Sequence, residues 1–399
     1  MGEKAEDNRG RHRRRRKLLF ALWVTVAALL LIEAVLRLKT QAVNGGLRLN
    51  GIDLLPLPLV TESRRRALIE DHPYLVADEH CGWTIRPHGR TDDGLYAANG
   101  HGLRSAPLNV PKARLAGVRR VLVVGDSLAH GDELPWGETW CARLQEGLGA
   151  GQEIWCGAVP GYGTDQALLR LERLLPVIEP EVVILGVYRQ NLLRNLTFFR
   201  SLQHPRTGIP WSKPRFVLRD GELTLANYPA LPPAEVDVTL ASYEGTSLSR
   251  DDRFWEPSLY EDDGRYRSRI WRYFISRGRL NGFYERSVGM LHRGGPGVTL
   301  GVALVQKFRR DMSALGRTPL ILILPDEIDV RGWRSGEPPI QPFLDALAAA
   351  SIPFIETGQS LAASLAEGET AAALFVGGRG HPNGRATRVI AEALLPVLR

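Results

Sequence analysis

The stretch VLVVGDSLAHGDELPWGETW, residues 121–140, begins with four apolar residues that run directly into Gly125-Asp126-Ser127. A short, uninterrupted apolar run is typical of a strand whose two faces are both covered, as in a parallel sheet. In open parallel sheets, ligands bind beyond the carboxyl ends of the strands, where loops lead into helices. The sequence therefore predicts that the Ser127 hydroxyl lies at a ligand-binding edge, beside backbone N–H groups that can stabilise an oxyanion.

Strands and helices alternate along the chain from residue 120 onward. The predicted strands are 120–124, 153–157, 181–188, 318–325 and 352–356. Amphipathic helical stretches lie between them, and the last, at about 384–398, places Ile390, Leu394 and Leu398 on one face. This alternation predicts an α/β fold with a parallel sheet between two helical layers.

A long insertion, residues 196–296, interrupts the alternation between the third and fourth strands. Within it, residues 216–227 predict a β-hairpin, because Asp220-Gly221 suits a tight turn with positive φ. The insertion also holds fifteen of the thirty aromatic residues in about a quarter of the chain. Two interpretations stay open: a lid or substrate wall over the active edge, or a segment with its own core.

The amino terminus carries most of the net charge. Residues 1–17 hold eight Lys or Arg and three acidic residues, a net +5 of the total +7, so the other 382 residues carry only +2. We therefore predict no nucleic-acid partner. The next nineteen residues, 18–36, have Glu33 as their only charge, and as a helix they would reach about 28 Å, enough to cross a bilayer.

The charge flanking this apolar segment predicts its orientation. Seven cationic or potentially cationic side chains, residues 11–17, directly precede it and favour a cytoplasmic amino terminus. No small-residue cleavage site follows, which indicates an uncleaved signal anchor. We interpret 1–17 as a basic cytoplasmic tail, 18–38 as the transmembrane anchor, and 39–117 as a stalk and covering segment. The rest of the chain is then expected in the periplasm or at the cell surface.

The three cysteines, Cys81, Cys141 and Cys156, are too few for a disulfide framework and match no metal-binding spacing. Either Cys141 and Cys156, the nearer pair in sequence, form one bridge and leave one free thiol, or all three are inert buried thiols. The sequence implies no metal and no organic cofactor.

Three blocks of the sequence resemble the SGNH, or GDSL, hydrolase superfamily, and in particular its membrane-anchored bacterial members with a long insertion. The blocks are Gly125-Asp126-Ser127, the stretch AVPGYGT at 158–164, and His381-Pro382-Asn383 before the last helix. Gly102-Leu103-Arg104 is similar to a further stretch of those members. The resemblance implies a flavodoxin-like three-layer α/β/α sandwich over 118–399, which includes the insertion.

The same resemblance implies roles for individual residues. Ser127 would be the nucleophile, His381 the base, and the main-chain N–H groups of Ser127 and Gly161 part of the oxyanion hole. The assignment is chemically coherent, because a serine hydroxyl is a poor nucleophile until a neighbouring imidazole accepts its proton.

Two positions depart from the family pattern. Where the family has an Asn-Asp pair whose asparagine donates to the oxyanion, this chain has Gln190-Asn191, and either amide could be the donor. Where the family has an aspartate three residues before the histidine, this chain has Gly378. A main-chain carbonyl could orient His381 instead, or a distant carboxylate such as Asp326 or Glu327, or activity has been lost.

The sequence thus predicts an extracytoplasmic serine esterase that cleaves oxygen esters through an acyl-serine intermediate. One alternative is an O-acyltransferase that passes the acyl group to an envelope polysaccharide, and another is a non-catalytic carbohydrate-binding protein with this fold. An α/β-hydrolase fold is disfavoured, because it needs several strands before its serine strand and about eighty upstream residues lack strand patterning.

Overall fold

The computed structural model describes residues 2–69, 72–104, 117–262, 264–378 and 380–399. The strands are β1 Gln41–Val43, β2 Gly46–Leu49, β3 Ile52–Leu54, β4 Leu75–Asp78, β5 Gly82–Ile85, β6 Arg119–Val124, β7 Gln152–Cys156, β8 Val182–Tyr188, β9 Arg215–Arg219, β10 Glu222–Ala226, β11 Thr318–Leu324 and β12 Ile355–Glu356. The helices are α1 Gly2–Lys39, α2 Glu62–Ile69, α3 Ser127–His130, α4 Trp140–Leu148, α5 Thr164–Ile178, α6 Arg189–Arg194, α7 Arg200–Gln203, α8 Pro233–Ala241, α9 Ser247–Asp251, α10 Arg269–Gly289, α11 Pro296–Ala314, α12 Glu327–Ser335, α13 Gln341–Ala349, α14 Gly358–Ala363 and α15 Gly384–Leu398.

A five-stranded parallel sheet forms the centre of the fold. Its strand order is β7-β6-β8-β11-β12, and every neighbouring pair is parallel. Numbered by chain order within the sheet, this is the 2-1-3-4-5 arrangement of flavodoxin-like folds. The predicted α/β class and the five predicted strands are confirmed. The strand order reverses between β6 and β8, and the edge beyond these two strands is where such sheets bind ligands.

The two faces of the sheet are covered by different helices, because successive side chains of a strand point to opposite faces. On one face Val121 and Val123 of β6 pack in a core with Trp140 of α4, Val330 of α12 and Ile390 of α15. On the other face α5 contacts β6 and α11 contacts β11. The predicted three-layer α/β/α sandwich is therefore present.

The described chain forms two compact units. The smaller comprises residues 1–62 and 256–285, and the larger comprises residues 63–255 and 286–399. In the smaller unit, helix α1 is long and apolar enough to cross a membrane over His12–Lys39. Its apolar side chains, for example Trp23 and Leu31, are exposed.

In the larger unit, the segment before β6 packs onto the sheet domain. The Trp83 indole donates to the Pro160 carbonyl (3.0 Å), and the Arg104 amide donates to the Cys156 carbonyl (3.1 Å). The expectation that the upstream residues lack strands is wrong, because β4 and β5 form an antiparallel pair here and β1–β3 form a small sheet in the other unit. These strands have three or four residues each, too few to give a readable alternation. Part of the predicted covering segment, 105–116, lies outside the described residues.

Within the insertion, the predicted hairpin is confirmed as the antiparallel pair β9 and β10. Residues 196–255, which belong to the larger unit, also bury Phe199, Tyr243 and Phe254. The Asp252 carboxylate lies among them and accepts from the Phe198 amide and the Tyr243 hydroxyl, both at 2.9 Å. Burial raises the pKa of this carboxyl group. These contacts favour the interpretation that this part of the insertion has a core of its own.

Cys81, Cys141 and Cys156 are all free and buried. The thiols of Cys141 and Cys156 both point at the Ala129 carbonyl, at 3.8 and 3.6 Å. The sequence left two interpretations open, one disulfide bridge or three buried thiols. The structure agrees with the second.

Candidate active site

The turn that presents Ser127 is built by its two preceding residues. A Cβ on Gly125 would lie 2.8 Å from the Ala129 methyl group and 3.0 Å from the Gly186 carbonyl oxygen, so only glycine fits between β6, β8 and α3. The Asp126 side chain accepts from the Leu128 amide (3.0 Å) and caps the short helix. Ser127 is therefore held as the first residue of α3, directly beyond the carboxyl end of β6.

Ser127 and His381 line the same cavity, whose volume is about 560 Å³. The walls come from the segments that follow β6, β8 and β11 and from the segment that precedes α15. The lining residues are Ser127, Leu128, Glu133, Tyr188, Arg194, Asp326, Glu327, Ile328, Arg331, Phe375, Gly380, His381 and Pro382. The topology thus brings the predicted nucleophile and the predicted base to one site at the carboxyl edge of the sheet.

The carboxylate beside His381 belongs to Glu133. Its Oε2 accepts from the His381 backbone amide at 2.7 Å and lies 2.8 Å from the His381 Nδ1. Both side chains are partly exposed, 44% for Glu133 and 27% for His381. An acid on Nδ1 fixes the imidazole tautomer and leaves Nε2 as the proton acceptor, which is the task of the third member of a Ser-His-acid triad.

The suggested substitutes, Asp326 and Glu327, are engaged elsewhere on the cavity wall. Asp326 accepts from the Arg189 guanidinium at 2.6 Å and from the Asp329 amide at 2.8 Å as the N-cap of α12. Glu327 lies 3.8 Å from the Arg331 guanidinium. The sequence also allowed a main-chain carbonyl to orient His381. In the structure, the group beside the His381 Nδ1 is the Glu133 carboxylate. The carboxylate beside His381 comes from the loop after α3 and not from the loops after β11.

Several contacts fix the loop that carries Glu133. The residue has a φ of +67°, a conformation uncommon for non-glycine residues and found preferentially at functional sites. Its backbone amide donates to the Tyr96 hydroxyl at 2.7 Å. The buried Arg104 guanidinium donates to the carbonyls of His130 (2.8 Å), Gly131 (2.6 Å) and Leu134. A Cβ on Gly380 would collide with the Glu133 carboxylate. The absence of a side chain at Gly380 therefore lets this carboxylate approach His381.

Of the residues predicted for the oxyanion hole, Ser127 lines the cavity and the others do not. The Asn191 amide group donates to the Asp126 carboxylate and to the Tyr162 carbonyl, both at 2.9 Å, so its two hydrogens are used within the protein. The Gln190 side chain contacts Gln203 at 3.4 Å. Neither Gln190, Asn191 nor Gly161 is among the described residues that line the cavity. These contacts account for the burial of Asn191. Through Asp126, its side chain supports the turn that presents Ser127.

Arg194 is a cavity residue that sequence reasoning missed. One guanidinium nitrogen, Nη1, donates to the Asp126 carboxylate (2.7 Å) and to the Tyr162 carbonyl (3.0 Å). Its Nε atom is buried without a hydrogen-bond partner in the described structure. In the sequence, Arg194 lies about one helical turn after the Gln190-Asn191 block.

His130 and Asp132 follow Ser127 closely but do not line the cavity in the described structure. His130 is fully buried. Its Nε2 lies 2.6 Å from the Tyr74 hydroxyl and its Nδ1 lies 2.5 Å from the Asp132 carboxylate. Burial lowers the pKa of this imidazole, against the opposing effect of Asp132.

No described residue of the insertion, 196–296, lines the cavity. Among the ranges described above, no three His, Cys, Asp or Glu side chains come together as a candidate metal site.

Comparison with known proteins finds similar chains among solved structures, at low sequence identity. No family model matches the chain, and no curated protein sequence matches it. Among solved structures, the chain is similar to a putative lipolytic protein of the G-D-S-L family from Desulfitobacterium hafniense (11% identity, TM-score 0.33, 70% of this chain and 98% of that chain). It is also similar to Axe2, an acetylxylan esterase from Geobacillus stearothermophilus (11%, 0.38, 71% and 95%), and to the esterase EstA from Pseudoalteromonas (13%, 0.32, 70% and 96%).

Proposed function

We propose that the larger unit is an ester hydrolase in which Ser127, His381 and Glu133 act as a catalytic triad. His381 Nε2 takes the proton of the Ser127 hydroxyl as its oxygen attacks the ester carbonyl carbon. The tetrahedral intermediate collapses to an acyl-serine, and His381 returns the proton to the leaving alcohol. Water then attacks the acyl-serine by the same route and releases the acid.

One observation carries this proposal: the Glu133 carboxylate lies 2.8 Å from the His381 Nδ1 in the cavity that Ser127 also lines. Gly378 removes the acid expected for the family, and without a replacement a degenerate, non-catalytic protein would be the better interpretation. Glu133 supplies that replacement from another part of the chain. It therefore supports catalysis over loss of function.

Turnover of p-nitrophenyl acetate by the purified full chain tests the proposal. We expect hydrolysis that Ser127→Ala and His381→Ala reduce to the rate of the blank, because each removes a reacting group. The Ser360→Ala variant, altered in α14 away from the cavity lining, is the control and should retain wild-type turnover. Wild-type activity in Ser127→Ala would contradict the proposal. A stable acyl-enzyme that turns over only with an added sugar acceptor would replace hydrolysis by O-acyl transfer to a glycan.

Arg194 is proposed as the side-chain donor to the oxyanion, together with the Ser127 main-chain N–H. The amide donors of Asn191 are used inside the protein, whereas Arg194 is a cationic residue that lines the cavity. Its positive charge would stabilise the negative charge that develops on the carbonyl oxygen, and removing one such donor typically lowers kcat by about 10²–10³-fold.

Arg194→Gln is therefore expected to lower kcat by about 10²-fold, with a much smaller change in KM. Arg331→Gln is the matched control, because Arg331 lines the same cavity but its side chain is 64% exposed. Steady-state kinetics on both variants, with thermal unfolding to verify folding, make the measurement. Equal losses in the two variants would rule out a specific role for Arg194.

We further propose that α1 anchors the chain in a membrane as a single span with a cytoplasmic amino terminus, so that the larger unit is extracytoplasmic. The exposed apolar side chains of α1 and the cationic residues 11–17 support this arrangement. Carbonate extraction of membranes that contain the full chain tests the anchor, because a peripheral protein would be released into the supernatant.

A further inference from the structure

The smaller unit contains a groove beside the membrane-anchor helix. Its volume is about 580 Å³, within the range of roughly 300–1,000 Å³ found for small-molecule sites. The lining residues are Val26, Leu29, Leu30, Glu33 and Arg37 of α1, together with Arg267, Ser268, Ile270 and Trp271. One wall of the groove is therefore the apolar span itself.

The two walls are joined by hydrogen bonds at Glu33. Its carboxylate accepts from the backbone amides of Arg269 (2.8 Å) and Ile270 (3.1 Å) at the start of α10, and from the Ser268 hydroxyl (3.0 Å). Arg37 pairs with Glu33 at 2.8 Å and donates to the Arg267 carbonyl at 2.6 Å. These bonds explain the one carboxylate of the apolar segment and hold the groove in a defined shape.

The groove is apolar at one end and cationic at the other. From Val26 to Arg37 it follows α1 for eleven residues, about 16 Å, which is about half of the roughly 30 Å hydrocarbon core of a bilayer. The apolar end is formed by Val26, Leu29 and Leu30. At the other end, Glu33 balances one of the two arginines, Arg37 and Arg267, which leaves one net positive charge.

We propose that this groove binds one anionic phospholipid, with an acyl chain along Leu29 and Leu30 and the phosphate at Arg37 and Arg267. The site spans the length of one leaflet, and its charge matches a singly charged phosphodiester. Trp271, 65% exposed on the wall of the groove, is a residue type enriched at the membrane–water interface. The inference rests on the proposed membrane anchor but not on the esterase mechanism.

The composition of the walls favours a lipid over a second transmembrane helix. Helix–helix contacts in membranes are enriched in small residues that let two backbones approach. The small residues at the middle of the span, Ala27 and Ala28, are not part of the groove, whose apolar walls are the large side chains of Val26, Leu29, Leu30, Ile270 and Trp271. A groove lined by large apolar side chains can bind a flexible acyl chain.

Native mass spectrometry of the full chain in detergent, titrated with palmitoyl-oleoyl phosphatidylglycerol or phosphatidylcholine, tests the proposal. We expect a single phosphatidylglycerol adduct that forms at a concentration at least tenfold lower than the phosphatidylcholine adduct. Leu30→Trp should abolish it, because the larger side chain occupies the groove, and Arg267→Gln should remove the preference for phosphatidylglycerol. Leu31→Trp is the matched control, because Leu31 is equally exposed on α1 (67% against 65%) but does not line the groove.

Two outcomes would overturn the proposal. Equal binding of both lipids, unchanged in Leu30→Trp, would mean that only non-specific annular lipid is retained. A dimer that Leu30→Trp dissociates would mean that the groove holds a second copy of the chain. Esterase turnover should be the same in all these variants, so failure of the lipid site is distinguishable from failure of the hydrolase assignment.

Discussion

Glu133→Gln is expected to lower kcat for p-nitrophenyl acetate by about 10³–10⁴-fold with little change in KM. The glutamine keeps the size of the side chain but removes the negative charge that fixes the Nδ1–H tautomer and stabilises the imidazolium. Loss of the equivalent acid in the serine-protease triad costs about 10⁴-fold in kcat. The KM is expected to change little, because Glu133 contacts the imidazole of His381 and would act through it.

The matched control is Glu327→Gln, which removes a carboxylate from another wall of the same cavity. Its kcat should stay within about threefold of wild type, because Glu327 lies next to Arg331 and not next to His381. The two variants therefore compare the acid found in the structure with one suggested by the sequence. A large loss in Glu327→Gln with none in Glu133→Gln would reverse the assignment.

Lys213→Met is expected to lower the free energy of unfolding by about 3–5 kcal/mol. The Lys213 ammonium forms an ion pair with the Asp165 carboxylate, and both side chains are fully buried. Removing one partner leaves an uncompensated charge in the interior, which is the source of the cost. Burial lowers the pKa of Lys213 to about 8, whereas the neighbouring Asp165 acts in the opposite direction.

Urea unfolding of the full chain in detergent, monitored by tryptophan fluorescence, measures this change in the free energy of unfolding. Lys307→Met is the control: its partners Glu172 and Asp311 are 57% and 33% exposed, so its loss should cost less than about 1 kcal/mol. The double variant Lys213→Met/Asp165→Leu should recover part of the loss, because no buried charge then remains. If Lys213→Met lowered the free energy of unfolding by less than about 1 kcal/mol, the prediction that the buried Lys213–Asp165 pair stabilises the fold would be wrong.

The features that sequence reasoning predicted correctly are local. Continuous apolar runs identified the five strands of the central sheet, because both faces of that sheet are covered by helices. The Asp220-Gly221 turn identified the hairpin, since Asp220 and Gly221 adopt the positive φ angles, 51° and 84°, that this turn requires. Ser127 could be placed at the edge of the sheet for the same reason, as the residue that follows a buried strand.

The features that were missed depend on contacts between distant parts of the chain. Glu133 is 248 residues away from His381, and the two meet only because a loop with positive φ is held by Tyr96 and Arg104. Nothing in the local sequence distinguishes that glutamate from its acidic neighbours. The burial of His130 arises in the same way, because Tyr74 comes from the upstream segment that packs beside α3.

The central claim, that Glu133 and His381 together activate Ser127, is tested most directly by covalent labelling of the full chain with a fluorophosphonate. Peptide mapping should find the phosphonyl group on Ser127. The second-order rate constant of labelling should fall by at least 100-fold in both His381→Ala and Glu133→Gln and stay unchanged in Glu327→Gln. Labelling at another residue, or labelling of Ser127 at the wild-type rate in Glu133→Gln, would contradict the account.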